Sequence, residues 1–294
     1  MLVLLLFALF WHSAVTGQAA APLPEQIVGQ EFTYTVREAD SLAGISARFG
    51  VSADLLAASN KLSPRSPLKI GQSLLGDNRH IVAPDLNDGV IINIPQRMLF
   101  HFRNGRLVHH FPVALGRPDW PTPTGRFKIV VKEENPTWDV PQSIQEEMRR
   151  AGQPVTTCVP PGRDNPLGKY WLGLSIPGYG IHGTNVPTSI YSFRSHGCVR
   201  AHNDDIAQLF NDVAPGTAGI LVYRRLLIAR AGDQIFLEVH RDIYRKQPSV
   251  EDQFNALVAN FNLESVVDRD LAREVIRKQD GIARDVTRRI GSRN

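Results

Sequence analysis

The sequence predicts an α+β protein with more than one core: a small βααβ module, then a mostly β domain, then one strand and an amphipathic helical tail. Three observations predict it. Residues 32–75 hold a short alternating run, two capped helical patches and a returning run. From Asp88 to Tyr223, Gly and Pro cut the chain into short apolar or alternating runs, and beyond Ser249 helical spacing takes over. A chain of 294 residues is long enough for two compact domains.

The elements follow in order. After Met1 the run LVLLLFALFW is too short to cross a bilayer, which needs about 20 residues. Small residues follow in AVTGQAAAP, so residues 1–21 are expected to be a signal peptide cleaved after Ala19, Ala20 or Ala21, with the rest of the chain exported to the periplasm or beyond. No Cys follows the run, which excludes a lipoprotein anchor; no Lys or Arg precedes it, which keeps an uncleaved anchor as the alternative. Hydrophobic residues at 43% and charged residues at 21% indicate a folded chain and no polytopic membrane protein. The 33 Lys and Arg against 29 Asp and Glu leave a net charge of only +4, scattered along the chain, so no nucleic acid partner is expected.

In the first module, residues 32–84, Phe32, Tyr34 and Val36 alternate as in a strand. Asp40 or Ser41 can cap a helix carrying Leu42, Ile45 and Phe49, which Gly50 ends. Ser52 caps a second helix with Leu55 and Leu56, and the chain returns through Lys61 to Ile70 and GQSLL as a second strand. The stretch YTVREADSLAGISARFGVSADLLAASN resembles the LysM module, a small binder of wall glycan. Glu38-Ala39 stand where that family usually has Pro-Gly, in the loop that borders the sugar groove. Glycan binding is what the resemblance implies; a spacer that only positions its neighbour is the alternative.

From 88 to 224 the runs VIINI, MLFHF, LVHHFPVAL, GRFKIV, YWLGLSI and GILVY read as strands, with helices at PQSIQEEMRRAG and NDDIAQLFNDV. In the extension, residues 225–294, DQIFLEV offers one more strand. Phe254, Leu257, Val258 and Phe261 share a helical face that Val267, Leu271 and Ile276 extend. No chemistry is read in this tail.

The chemistry concentrates at SHGCVR, residues 195–200, and GYGIHGT, residues 178–184. Four readings of Cys198 compete. A zinc site would need His182, His196 and Cys198 as ligands, without any standard ligand spacing. A disulfide to Cys158 suits an oxidising compartment but needs the two Cα atoms within about 7 Å. As a small core residue, Cys198 would leave the two neighbouring His-Gly pairs unexplained. As a nucleophile it needs a base, and His182 can serve. The Gly183 carbonyl could then fix the imidazole tautomer. Gly197 permits a tight turn whose N–H groups, with that of Cys198, face an oxyanion, and Arg200 suits a substrate carboxylate.

The interval IHGTNVPTSIYSFRSHGCVR resembles the signature of the L,D-transpeptidase catalytic domain of the YkuD family. Supporting matches are PTPTGRFKI at 121–129, NPTWDVPQSI at 135–144 and PPGRDNPLGKYWLGLS at 160–175. The resemblance spans roughly residues 88–224. It implies a β-rich catalytic fold, Cys198 as nucleophile, His182 as general base, Gly183 as the orienting carbonyl and His196 as a fourth catalytic residue, one that shapes the site or holds a hydrogen bond rather than moving protons. Ser195, Thr184 and Arg200 are expected to meet substrate. The implied reaction is attack on the L-centre carbonyl of meso-diaminopimelate in a tetrapeptide stem of peptidoglycan. D-Ala is released, and the acyl group passes to an amine of another stem or of an outer-membrane lipoprotein. Neither metal nor organic cofactor is implied. Two rivals stay open: a catalytically silent peptidoglycan-binding protein, and a hydrolase of the same fold with water as acceptor.

Overall fold

The computed structural model describes residues 23–289, so the expected signal peptide lies outside the described residues. In the first module, strand Glu31–Thr35 pairs antiparallel with Ser73–Asp77 around helices α1 (Leu42–Phe49) and α2 (Ala53–Ser59). Ser41 and Ser52 cap the helices, each hydroxyl accepting from an N–H three residues on. Asp40 acts elsewhere, its carboxylate accepting from Arg37 N at 2.7 Å and from Tyr34 Oη at 2.8 Å, which closes the loop between strand and helix. In that loop Ala39 adopts φ +63°, so the backbone keeps the left-handed turn that glycine adopts without strain. The second strand is confined to Ser73–Asp77, and Lys61 to Ile70 form turns and irregular backbone before it.

The second domain is built on an eight-stranded sheet. From one edge its order is Val199–Arg200, Gly180–His182, Tyr170–Leu174, Gly125–Glu134, Ala218–Val222, Gly89–Asn93, Met98–Arg103 and Arg106–Pro112. Every run read as a strand contributes here. Neighbours are antiparallel except at two places, the edge pair that carries His182 and Arg200 and the central pair Ala218–Val222 with Gly89–Asn93. Ile92, Leu99, Leu115, Ile129, Leu172 and Ile181 are buried together with Ile206 and Leu209 of helix α4 (Asn203–Asp212). Helix α3 (Gln142–Arg150) buries no residue fully and lies over the face where the site forms.

The tail is a third layer with its own core. Strands Leu226–Ala231, Gln234–Val239 and Arg284–Asp285 form a sheet against α5 (Val250–Asn260) and α6 (Arg269–Lys278). The first of these strands has no clear alternation, and the sequence reading passed over it. Ser249, where helical spacing takes over, caps α5. Leu271 corrects the predicted face: it is exposed, and Ala272, Val275 and Ile276 are the buried residues of α6.

These layers interlock. Ile282 of the tail is fully buried in the core of the first module with Leu42, Ile45 and Leu56. Glu238, also without exposed surface, accepts from His80 Nδ1 and His240 Nε2 at 2.7 Å each, from Ile81 N at 2.6 Å and from Gln96 Nε2 at 3.1 Å. Four donors satisfy one buried carboxylate; desolvation raises its pKa, and His80 and His240 outweigh that and hold it down to about 2. On the other side, α1 meets the start of α4, where His202 Nε2 donates to Ala47 O at 3.1 Å and Arg48 pairs with Asp204 at 2.7 Å.

Candidate active site

Cys198 sits at the end of a turn that its own sequence closes. Ser195 Oγ donates to Cys198 O at 2.5 Å and accepts from Gly197 N at 3.1 Å. Gly197 is required twice over: its φ is +106°, and a Cβ there would lie 2.6 Å from the Tyr179 ring. The turn is braced from outside. Thr122 Oγ1 donates to Gly197 O at 2.8 Å and accepts from Gly116 N at 2.8 Å, while Tyr244 Oη donates to Gly116 O at 2.5 Å and accepts from Thr122 N at 3.2 Å. Tyr244 belongs to the tail, so the extension reaches the turn that presents the thiol.

His182 ends the neighbouring strand, second from the edge, in register with Arg200. Its Nδ1 donates to Gly183 O at 2.7 Å, which leaves Nε2 as the basic nitrogen. The ring is buried and stacks on Trp171 with centroids 5.7 Å apart. Burial first, and then the Arg200 charge, push its pKa down to about 3 against the opposing effect of the Gly183 and Leu167 carbonyls. Burial also pushes the Cys198 thiol up, with the Arg200 charge pulling the other way. Imidazole and thiol are both neutral as a result. The sulfur's hydrogen bond goes to Gly178 O, at 3.8 Å.

Gly183 has a reason that the sequence did not reveal. A Cβ on it would lie 2.2 Å from Asn203 Oδ1. Asn203, the first residue of α4, accepts from Thr184 N and donates to Thr184 O, both at 2.9 Å. The backbone that carries the Gly183 carbonyl is thereby clamped.

Cys198, His182 and Arg200 line one cavity of about 670 Å³ with Trp120, Trp138 and Trp171. Ile144 and Met148 of α3 form part of its wall. Arg200 brings an Nε that is buried without a hydrogen-bond partner, and burial lowers its pKa. His196 lines the same cavity but turns to Glu147 of α3, 2.6 Å from its carboxylate, with its ring edge-on to Trp120 at 5.0 Å. Glu147 also pairs with Arg117 at 2.7 Å; the hydrogen bonds from Arg117 and then His196 lower its pKa.

The geometry bears on three further residues expected at the site. The Gly197 N–H is engaged by Ser195 Oγ, so it does not face the cavity as an oxyanion donor. Ser195 lines the cavity, as a residue expected to meet substrate should, while its side chain is buried and its hydroxyl is bonded inside the turn. Thr184 is buried and held by Asn203, and it is absent from the cavity lining. Both cysteines are free thiols, Cys158 on the surface and Cys198 half-buried, so the disulfide reading fails. The sequence reading missed Asn203, Glu147, Thr122, Tyr244 and the three tryptophans. NPTWDVPQSI and KYWLGLS held two of those tryptophans in plain view.

Comparison with known proteins adds the family. The L,D-transpeptidase catalytic domain of the YkuD type matches residues 87–223, and the LysM domain matches residues 34–75. The Bacillus subtilis (strain 168) protein YkuD, named as an L,D-transpeptidase, is 34% identical over 191 residues, covering 63% of this chain and 95% of that protein. The chain belongs to the YkuD family of L,D-transpeptidases. Two Escherichia coli (strain K12) proteins named as probable L,D-transpeptidases extend the likeness beyond the catalytic domain. ErfK/SrfK is 29% identical over 257 residues, covering 85% of this chain and 83% of its own length. YbiS is 29% identical over 256 residues, covering 84% and 83%. This L,D-transpeptidase is therefore an enzyme, and its likeness to these two relatives runs beyond the catalytic domain.

Proposed function

We propose that this enzyme acts in the periplasm on tetrapeptide stems of peptidoglycan through a Cys198 acyl-enzyme. His182 Nε2 takes the thiol proton as sulfur attacks the L-centre carbonyl of meso-diaminopimelate. The Cys198 N–H faces the oxyanion, and the imidazolium returns its proton to the departing D-Ala amine. An acceptor amine then attacks the thioester, gives its proton to His182 and carries the acyl group away, and the imidazolium returns that proton to the departing Cys198 sulfur. Arg200, with a guanidinium nitrogen lacking any partner in the cavity wall, receives a stem carboxylate. Residues 32–84 contact glycan, residues 88–224 carry the chemistry, and residues 225–294 brace it.

The observation that carries this reading is the shared cavity of Cys198, His182 and Arg200, with His182 Nδ1 committed to Gly183 O. Incubation of the purified protein with tetrapeptide muropeptides, with and without an acceptor amine, tests it. Amine-dependent products joined through diaminopimelate, or acyl transfer to a lipoprotein lysine peptide, support the proposal. D-Ala release at the same rate without any amine would make the enzyme a hydrolase, and no release at all would leave a wall-binding protein.

A further inference from the structure

At the sheet edge opposite the cysteine lies a group of side chains that the reaction does not use. His101 and His109 stand directly across from each other on strands Met98–Arg103 and Arg106–Pro112, their rings 5.8 Å apart and only 18° from parallel. Asp212, the last residue of α4, reaches the same point and places Oδ2 at 2.6 Å from His109 Nε2. One nitrogen or oxygen atom from each of the three residues lies within 4.8 Å of the others. His101 is 3% exposed, and its Nδ1 is buried without a hydrogen-bond partner. A buried imidazole nitrogen left unpaired is costly unless something else satisfies it.

We infer that His101, His109 and Asp212 form a binding site for a divalent transition metal ion of the zinc type. Two imidazole nitrogens and one carboxylate oxygen suit such an ion, and the partly exposed His109 and Asp212 leave the fourth position open to water. The apo contact between His109 and Asp212 is what the ion replaces, as the His109 proton moves from Nε2 to Nδ1 and Nε2 turns its lone pair to the metal. Arg103, 3.2 Å from the other carboxylate oxygen of Asp212, stays there as the group that orients the ligand.

The second cluster within reach, His80, Glu238 and His240, differs in kind. Its carboxylate already accepts from Ile81 N and Gln96, and all three residues are buried, so it works as a pin between layers. At the edge site an ion would join the end of α4 to the strand pair. The other end of α4 carries Asn203, so the tie steadies the helix that clamps Thr184.

The test uses the untagged, metal-stripped full chain carrying Cys158→Ser and Cys198→Ala, so that no thiolate competes. Titration with Co2+, followed by visible absorption, should show one equivalent bound through nitrogen and oxygen and displaced by Zn2+. His109→Ala, at a partly exposed position, should weaken uptake roughly tenfold or more and abolish the rise in Tm that Zn2+ gives the parent. His196→Ala should bind as the parent does. Asp212→Asn keeps the side-chain shape and gives a second reading should His109→Ala fold poorly. No stoichiometric uptake by the parent, or equal uptake by both the His109→Ala and Asp212→Asn variants, overturns the inference.

Discussion

Asn203 holds the backbone of Thr184 on both sides, its Oδ1 accepting from Thr184 N and its Nδ2 donating to Thr184 O, each at 2.9 Å. The Gly183 carbonyl that fixes His182 lies one residue away. Asn203→Ala should therefore lower kcat on soluble muropeptides by about tenfold or more, with KM little changed, because the base loses its set orientation. Gly183→Ala should be severe in the parent, where the new Cβ meets Asn203 Oδ1 at 2.2 Å, and milder when combined with Asn203→Ala. Steady-state kinetics of the four proteins of this cycle check it; simple additivity would show that the two residues act apart.

Tyr244→Phe probes the reach of the tail into the turn. The change removes a donor to Gly116 O and the acceptor for Thr122 N, so stability should fall by about 1–2 kcal/mol. Activity should fall further than that loss of folded protein explains. Thermal unfolding together with turnover well below Tm separates the two effects.

Much of the fold is legible in the sequence because short alternating runs and capped helices are local signals. Ser41, Gly50, Ser52 and Ser249 show this, each at the helix end its chemistry suits. The Cys198 turn is legible for a similar reason, since Ser195, Gly197 and Cys198 close it among themselves. What stayed hidden comes from far along the chain. Tyr244 lies 128 residues from Gly116, and Ile282 fills a core made of residues 36 to 74. Gly183 is legible only as a carbonyl beside His182, while the need for glycine there comes from Asn203, 20 positions later. No periodicity announces such a contact.

The titration of the pair gives a third prediction. With His182 pushed down to about 3 and the thiol raised by burial, Cys198 should react slowly with iodoacetamide at neutral pH and faster as pH rises. No inflection near 6.5 should appear. Arg200→Ala should shift the alkaline rise to still higher pH, since Arg200 favours the thiolate. Alkylation rates across pH, read by mass spectrometry at Cys198, decide this.

Acid stability follows from two buried groups whose folded pKa values lie below their unfolded ones. For His182 the stabilisation is complete above the unfolded value of 6.5 and is lost as pH falls towards about 3; for Glu238 it is lost between 4.5 and about 2. Tm should therefore fall below pH 6.5 and fall again below pH 4.5. In His182→Asn the first decline should shrink, which scanning at several pH values will show.

The account rests on the thiol of Cys198 as the group that carries the acyl chain. Intact-mass measurement after brief mixing with a tetrapeptide stem donor, without acceptor amine, addresses it directly. The mass should rise by that of the donor less D-Ala, mapped to Cys198, and Cys198→Ala should show neither the adduct nor turnover while keeping its fold. Turnover retained within a few-fold in Cys198→Ala, or an adduct mapped to Cys158, would contradict it.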